Sequence, residues 1–251
     1  MTPTRTTIEP HVEPQAVAAS GRPWGAWTSI AWVVAALALW LLVSFWIEHL
    51  PSLPPSMDFV LASLSWAIAP AVLVIAVLVR RFAIASYMAW TVPRLSNALI
   101  AVGVALVAIF GIGVLDYVLG GGTSIGVDAG AYRQYLASGG MPLGFMLNSY
   151  GAWIYAPIVE ETVFRGFLWR GLAASQLGNW GAWLLTSVFF AASHTVYYAN
   201  PGGIIVVAIL GLMLGLVRWH TGSSTAGMIT HCLFNLWTHA GAMLVVAVGW
   251  P

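Results

Sequence analysis

Lysine is missing from this chain altogether, and charge of either sign is scarce. Nine arginines and eight acidic residues are spread over 251 positions, so charged side chains make up only 7% of the total. An average soluble domain carries about a quarter. A surface facing water on every side cannot be built from so few charges, and 60% of the residues are hydrophobic. The composition is that of an integral membrane protein. No basic patch or RNA-binding signature accompanies the net charge of +1, so nothing points to a nucleic-acid partner. Cysteine occurs once, as Cys232. That excludes a disulfide framework and a cysteine-ligated zinc site within one chain. Cys232 sits in an apolar segment, where a small buried hydrophobe is the ordinary role.

What the chain has in abundance is long apolar runs. Residues 1–25 are rich in Pro, Thr and Ala, lack such a run, and read as a flexible cytoplasmic tail. Beyond them, seven stretches reach the roughly 20 residues that a bilayer requires. They lie at about 26–47, 59–79, 97–119, 142–171, 180–198, 203–219 and 224–248. The breaks carry turn chemistry: PSLPPS at 51–56, GGGTSIG at 120–126, NPGG at 200–203 and TGSS at 221–224. The expected fold is therefore all-α, a polytopic transmembrane bundle of about seven spans. Arginine placement sets its orientation. With the N-terminus in the cytoplasm and the C-terminus outside, Arg5, Arg22, Arg80, Arg81, Arg94, Arg170 and Arg218 lie inside and Arg133 alone lies outside. Trp24, Trp27, Trp180 and Trp219 read as interface anchors.

Against this background, ionisable residues within the spans stand out. A charge at the bilayer centre costs at least about 2.5–3.5 kcal/mol, so such residues are functional candidates by default. The stretch 157-PIVEETVFRG-166 holds Glu160, Glu161 and Arg165; His194 lies in the next run, and His231, Asn235 and His239 in the last. At 1.5 Å per residue, Glu160 falls about 18 Å from the cytoplasmic end of its helix, His194 about 21 Å, Asn235 about 16 Å and His231 about 10 Å. A shared layer reached from the cytoplasmic half follows. Glu161 and Arg165 are i,i+4 and can form an ion pair. Glu160 is turned about 100° away, toward Phe164 and Phe167, and is placed to act as a general base. His231 and Asn235 share a face and suit a developing oxyanion. Pro157 frees the carbonyl of Trp153 and predicts a kink. On the residues alone, water attack on a carbonyl, a proton relay and a metal site all remain open. His239 matches no pattern and reads as a packing or cavity-facing residue.

Three motifs in order narrow the choice. They are 160-EETVFR-165, 190-FAASH-194 and 231-HCLFN-235, with 211-GLMLGLVRWHTGSS-224 before the last. Across about 142–248 the chain resembles the CAAX protease and bacteriocin-processing family of intramembrane glutamate endopeptidases, Ras-converting-enzyme-like. The resemblance implies that Glu160 and His194 activate the attacking water, that His231 and Asn235 stabilise the oxyanion, and that Glu161 and Arg165 brace the site. It implies no cofactor and no metal. Together with the composition and the apolar runs, it divides the chain into a tail (1–25), three N-terminal helices with their loops (26–141) and a four-helix catalytic core (142–251).

The expected protein is thus a multi-pass intramembrane endopeptidase of a prokaryotic cytoplasmic membrane. Its substrate would be a peptide or protein, lipidated or membrane-inserted. The alternative is a non-proteolytic member of the same family, serving bacteriocin self-immunity or scaffolding a partner. Other intramembrane proteases fit worse, since HExxH, GxSG and GxGD are all absent.

Overall fold

A backbone in hydrocarbon must satisfy its own N–H and C=O groups, and the helix does this within one segment. The structure is a computed structural model that describes residues 23–50, 61, 64–118, 124–139, 141–142, 145 and 149–249. Most of the expected tail and the PSLPPS turn lie outside the described residues. Among the described residues every regular element is helical. They are α1 (Ala26–Glu48), α2 (Ile68–Val79), the single turn α3 (Ile84–Tyr87), α4 (Leu95–Val118) and α5 (Ser124–Ala137). After them come a composite helix α6 (residues 151–173), then α7 (Gly178–Ser193), α8 (Pro201–Thr221) and α9 (Ser224–Ala247).

Capping residues explain where the last two helices begin and end. Asn200 accepts a hydrogen bond from the Gly203 N–H at 3.1 Å, with Pro201 at the first helical position. Gly222 closes α8 with φ of 67°, the left-handed conformation glycine adopts without strain. Ser223 caps α9 through the Ala226 N–H at 3.2 Å.

Among the described residues four segments are long and apolar enough to cross a membrane: Ala26–Ile47, Leu95–Leu115, Pro201–Thr221 and Ser224–Ala247. The chain is an integral membrane protein, and its outer surface agrees. Trp27, Leu42 and Phe45 of α1 and Leu106, Val107 and Phe110 of α4 are all exposed. Such a surface would be a liability in water and is the normal contact layer in lipid. Inside, α7 packs along α8, α9 is flanked by α4 and α5, and α6 touches α7 and α9.

Several expectations need correction. The GGGTSIG segment is not turn throughout, because Ser124 opens α5. A search for 20-residue apolar runs cannot find this 14-residue helix, which carries Asp128 and Arg133. Its signal is instead the buried row Ile125, Ala129 and Tyr132, at helical spacing. The stretch expected as a helix over 180–198 stops at Ser193. Trp24 is not an outer anchor. It packs inward, its ring 5.4 Å from Phe167 and 5.8 Å from Tyr87. Trp27 and Trp180 do stand exposed.

The end of α6 and the start of α1 approach so closely that only glycine fits between them. A Cβ on Gly171 would lie 2.5 Å from the Ser29 Cβ and 3.2 Å from the Trp24 carbonyl oxygen. Gly171→Ala is therefore expected to destabilise the protein by about 1–3 kcal/mol, the usual cost of overpacking. Adding Ser29→Gly should recover most of the loss. Thermal unfolding of the detergent-solubilised variants checks both.

Candidate active site

The polar stretch at residues 157–166 lies in the most irregular helix among the described residues. In α6 a π-helical segment (Gly151–Tyr155) leads into a short α-helical one (Ala156–Glu161). A second π-helical segment (Thr162–Leu168) and a last α-helical turn (Trp169–Ala173) follow. Pro157 brings no N–H, so the carbonyl four residues earlier loses its ordinary partner. The expected kink takes the form of this π register, a common device at functional positions in helices. The two glutamates stand at the junction before the second π-helical segment. The wider turn that follows moves Phe167 off the Glu160 face. Phe164 lines the cavity described below, while Phe167 packs with Trp24 and Tyr87.

Glu161 and Arg165 are both fully buried, with the guanidinium Nη1 donating to Glu161 Oε1 at 3.0 Å. The other terminal nitrogen, Nη2, donates to the Gly211 carbonyl of α8 at 2.7 Å. That carbonyl also accepts from Ser187 Oγ of α7 at 2.9 Å. The carbonyl of Arg165 in turn accepts from Arg218 Nε of α8 at 2.9 Å. One guanidinium thus ties three helices together. Its flat face lies 4.5 Å from the ring centroid of Phe190, a cation–π contact in a desolvated setting.

Glu160 points elsewhere, into a cavity of about 460 Å³. Its Oε2 is buried and makes no hydrogen bond. It faces His194 Nε2 at 3.8 Å and His231 Nε2 at 3.9 Å. The structure therefore brings Glu160, His194 and His231 together from α6, the end of α7 and α9. His194 is not mid-helix as expected but the residue that ends α7. Its Nδ1 lies 2.7 Å from the Phe190 carbonyl oxygen. A carbonyl can only accept, so Nδ1 carries the hydrogen and Nε2 presents a lone pair in the neutral ring. His231 sits between the two carboxylates, because its Nδ1 is also 3.5 Å from Glu161 Oε1. Asn235 lines the same cavity, and its Nδ2 donates to the Ala152 carbonyl at 2.9 Å. One of its two amide hydrogens is thus engaged. Among the described residues no group of three or more His, Cys, Asp or Glu side chains is placed to hold a metal ion.

Several participants escape a reading of the sequence. Asp128 of α5 lines the cavity although its segment reads as a loop. The contact between His231 and Glu161 joins two residues assigned to separate tasks. Gly227 is a third case: a Cβ there would fall 2.6 Å from Glu161 Oε2. Gly227 lies four residues before His231 and so on the same face of α9, but that spacing does not say what packs against it.

The fold and this cluster define a class: an all-helical membrane protein with a carboxylate and two imidazoles converging on an internal cavity. Comparison with known proteins takes the assignment further. Residues 142–237 match the family model described as type II CAAX prenyl endopeptidase Rce1-like. No curated protein and no solved structure gives a match. The matched segment contains Glu160, Glu161, Arg165, His194, His231 and Asn235.

Removing one member of a buried ion pair strands the other. Glu161→Gln keeps the shape and removes the charge, so it is expected to lower stability by about 3–5 kcal/mol. Arg165→Lys should also destabilise, because an ammonium cannot reach Glu161 and the Gly211 carbonyl as a planar fork does. Thermal unfolding in detergent measures both, and a melting temperature unchanged in Glu161→Gln would contradict the brace.

Proposed function

We propose that the protein is an intramembrane endopeptidase in which Glu160 activates a water for attack on a peptide carbonyl. The observation that carries this reading is the meeting of Glu160 Oε2 with two imidazole Nε2 atoms at 3.8 and 3.9 Å on a cavity wall. Glu160 Oε2 and His194 Nε2 are both acceptors. A water has two hydrogens to donate, and it can bridge two acceptors so spaced. Bound there, it has its oxygen lone pairs free for the substrate.

In the first step the water oxygen bonds to the carbonyl carbon while Glu160 takes a proton from it. The carbonyl π electrons move to oxygen, giving a tetrahedral oxyanion. An N–H of His231 and the remaining Asn235 N–H donate to that oxyanion. In the second step the carbon–nitrogen bond breaks, and protonated Glu160 returns the proton to the leaving nitrogen. The products are a carboxylic acid and an amine, which ionise to a carboxylate and an ammonium, and the site is restored. Glu161 and Arg165 touch no reacting atom in this scheme; they position His231 and the glutamate-bearing turn. The cavity would open to the cytoplasmic half of the membrane, with the N-terminus inside and the C-terminus outside. Residues 142–251 would form the catalytic core. The substrate would be a peptide or protein tail, lipidated or membrane-inserted.

Glu160→Gln is expected to cut peptide cleavage by about 10²–10⁴-fold, the usual contribution of a general base. His194→Ala should fall in the same range. The measurement is mass-spectrometric cleavage of a library of lipidated and unlipidated tail peptides by purified protein. Wild-type rates in Glu160→Gln would sink the mechanism, and loss of cleavage with a chelator, restored by zinc, would favour metal chemistry instead.

A further inference from the structure

The cavity has a second polar end that the matched segment does not include. Asp128 of α5 and His239 of α9 both line it, and both fall outside residues 142–237. Asp128 Oδ2 lies 3.6 Å from His239 Nδ1, and the two side chains are 17% and 13% exposed. The His239 Nδ1 is 2.9 Å from the Asn235 carbonyl oxygen, so the Nδ1 hydrogen is directed there rather than at Asp128. No arginine is among the described residues that line the cavity. The chain has no lysine to supply a cation either. A carboxylate held in a membrane protein without a fixed counter-charge is costly, and such groups mark ligand pathways.

Position gives this group a register. His231, Asn235 and His239 follow one another at four-residue spacing along one face of α9. The eight residues from His231 to His239 span about 12 Å. An extended peptide covers that distance in about three to four residues. We propose that Asp128, with His239 beside it, binds a basic side chain of the peptide substrate three or four residues from the scissile bond. The same carboxylate disfavours a peptide that ends in its own α-carboxylate at that distance. The selected substrate is thus a segment with a basic residue where it reaches Asp128.

The kinetic part rests on the peptidase reading, so the test has two arms. In the first, full-length protein in lipid nanodiscs is given peptides with Lys, Ala or Glu at each of the third and fourth positions on either side of the cut. Wild type should prefer Lys over Glu in kcat/KM by about tenfold or more at one of these positions. Asp128→Asn should bring that ratio to within about threefold, and Asp128→Glu should keep it. In the second arm, binding of fluorescent Lys and Glu peptides is measured on Glu160→Gln protein with and without Asp128→Asn. Asp128-dependent binding of the Lys peptide without cleavage by wild type would uphold this subsite and defeat the peptidase reading. Equal handling of Lys and Glu peptides, in cleavage by wild type and in binding to Glu160→Gln protein, would overturn the proposal, and the first of these comparisons needs no variant to fold. An equal Lys-to-Glu ratio in wild type and Asp128→Asn would overturn it as well.

Discussion

The structure depends on one ion pair that never meets water. Glu161 and Arg165 are both completely buried, and the guanidinium reaches on to the Gly211 carbonyl. A buried pair of this kind adds little net stability over well-packed apolar residues, yet losing either partner is costly. Its value lies in what it aligns. Arg165 fastens α6 to α8, Ser187 brings α7 to the same carbonyl, and Arg218 closes back onto the Arg165 carbonyl. Phe190 then carries the alignment into the cavity. One face receives the guanidinium, while the ring lies 4.6 Å from His194 and 5.6 Å from His231. The side chains around Glu160 are thus held through Arg165, which does not itself line the cavity.

The irregular backbone of α6 belongs to the same arrangement. Departures from α-helical bonding at membrane depth are tolerated where the segment is buried in protein or lines a cavity. The second π-helical segment of α6 is wholly buried. Its junction with the α-helical turn separates two adjacent glutamates. One faces the guanidinium, and the other faces the cavity wall shared with His194. Two neighbouring carboxylates in a uniform polar site would do similar work. In the proposed mechanism this difference in environment makes Glu161 a positioning group and Glu160 the base.

Much of this was legible in the sequence because membrane proteins use charge so sparingly. Glu160, Glu161, Arg165, His194 and His231 stood out as ionisable residues within apolar runs, and the i,i+4 spacing of Glu161 and Arg165 anticipated their contact. The π-helical register was not legible. Pro157 predicts a disturbance but not its form, and with it went the true direction of Phe167. The end of α7 at His194 was also missed, because the run stays apolar past it while the His194 ring takes up the Phe190 carbonyl. Asp128 was read as a loop residue because α5 is too short and too polar for a search tuned to spans. Contacts such as His231 with Glu161, or Gly227 against the Glu161 carboxylate, are properties of packing between α6 and α9. No spacing along one strand of sequence specifies them.

The central claim is that a water activated by Glu160 is itself the nucleophile. Cleavage of a peptide in water enriched in heavy oxygen tests this most directly, with mass analysis of both the product and the Glu160-containing fragment of the enzyme. The account predicts one heavy oxygen in each new carboxyl terminus and none in Glu160 after many turnovers. Heavy oxygen accumulating in Glu160 would show that the carboxylate attacks the substrate itself, and would contradict the account.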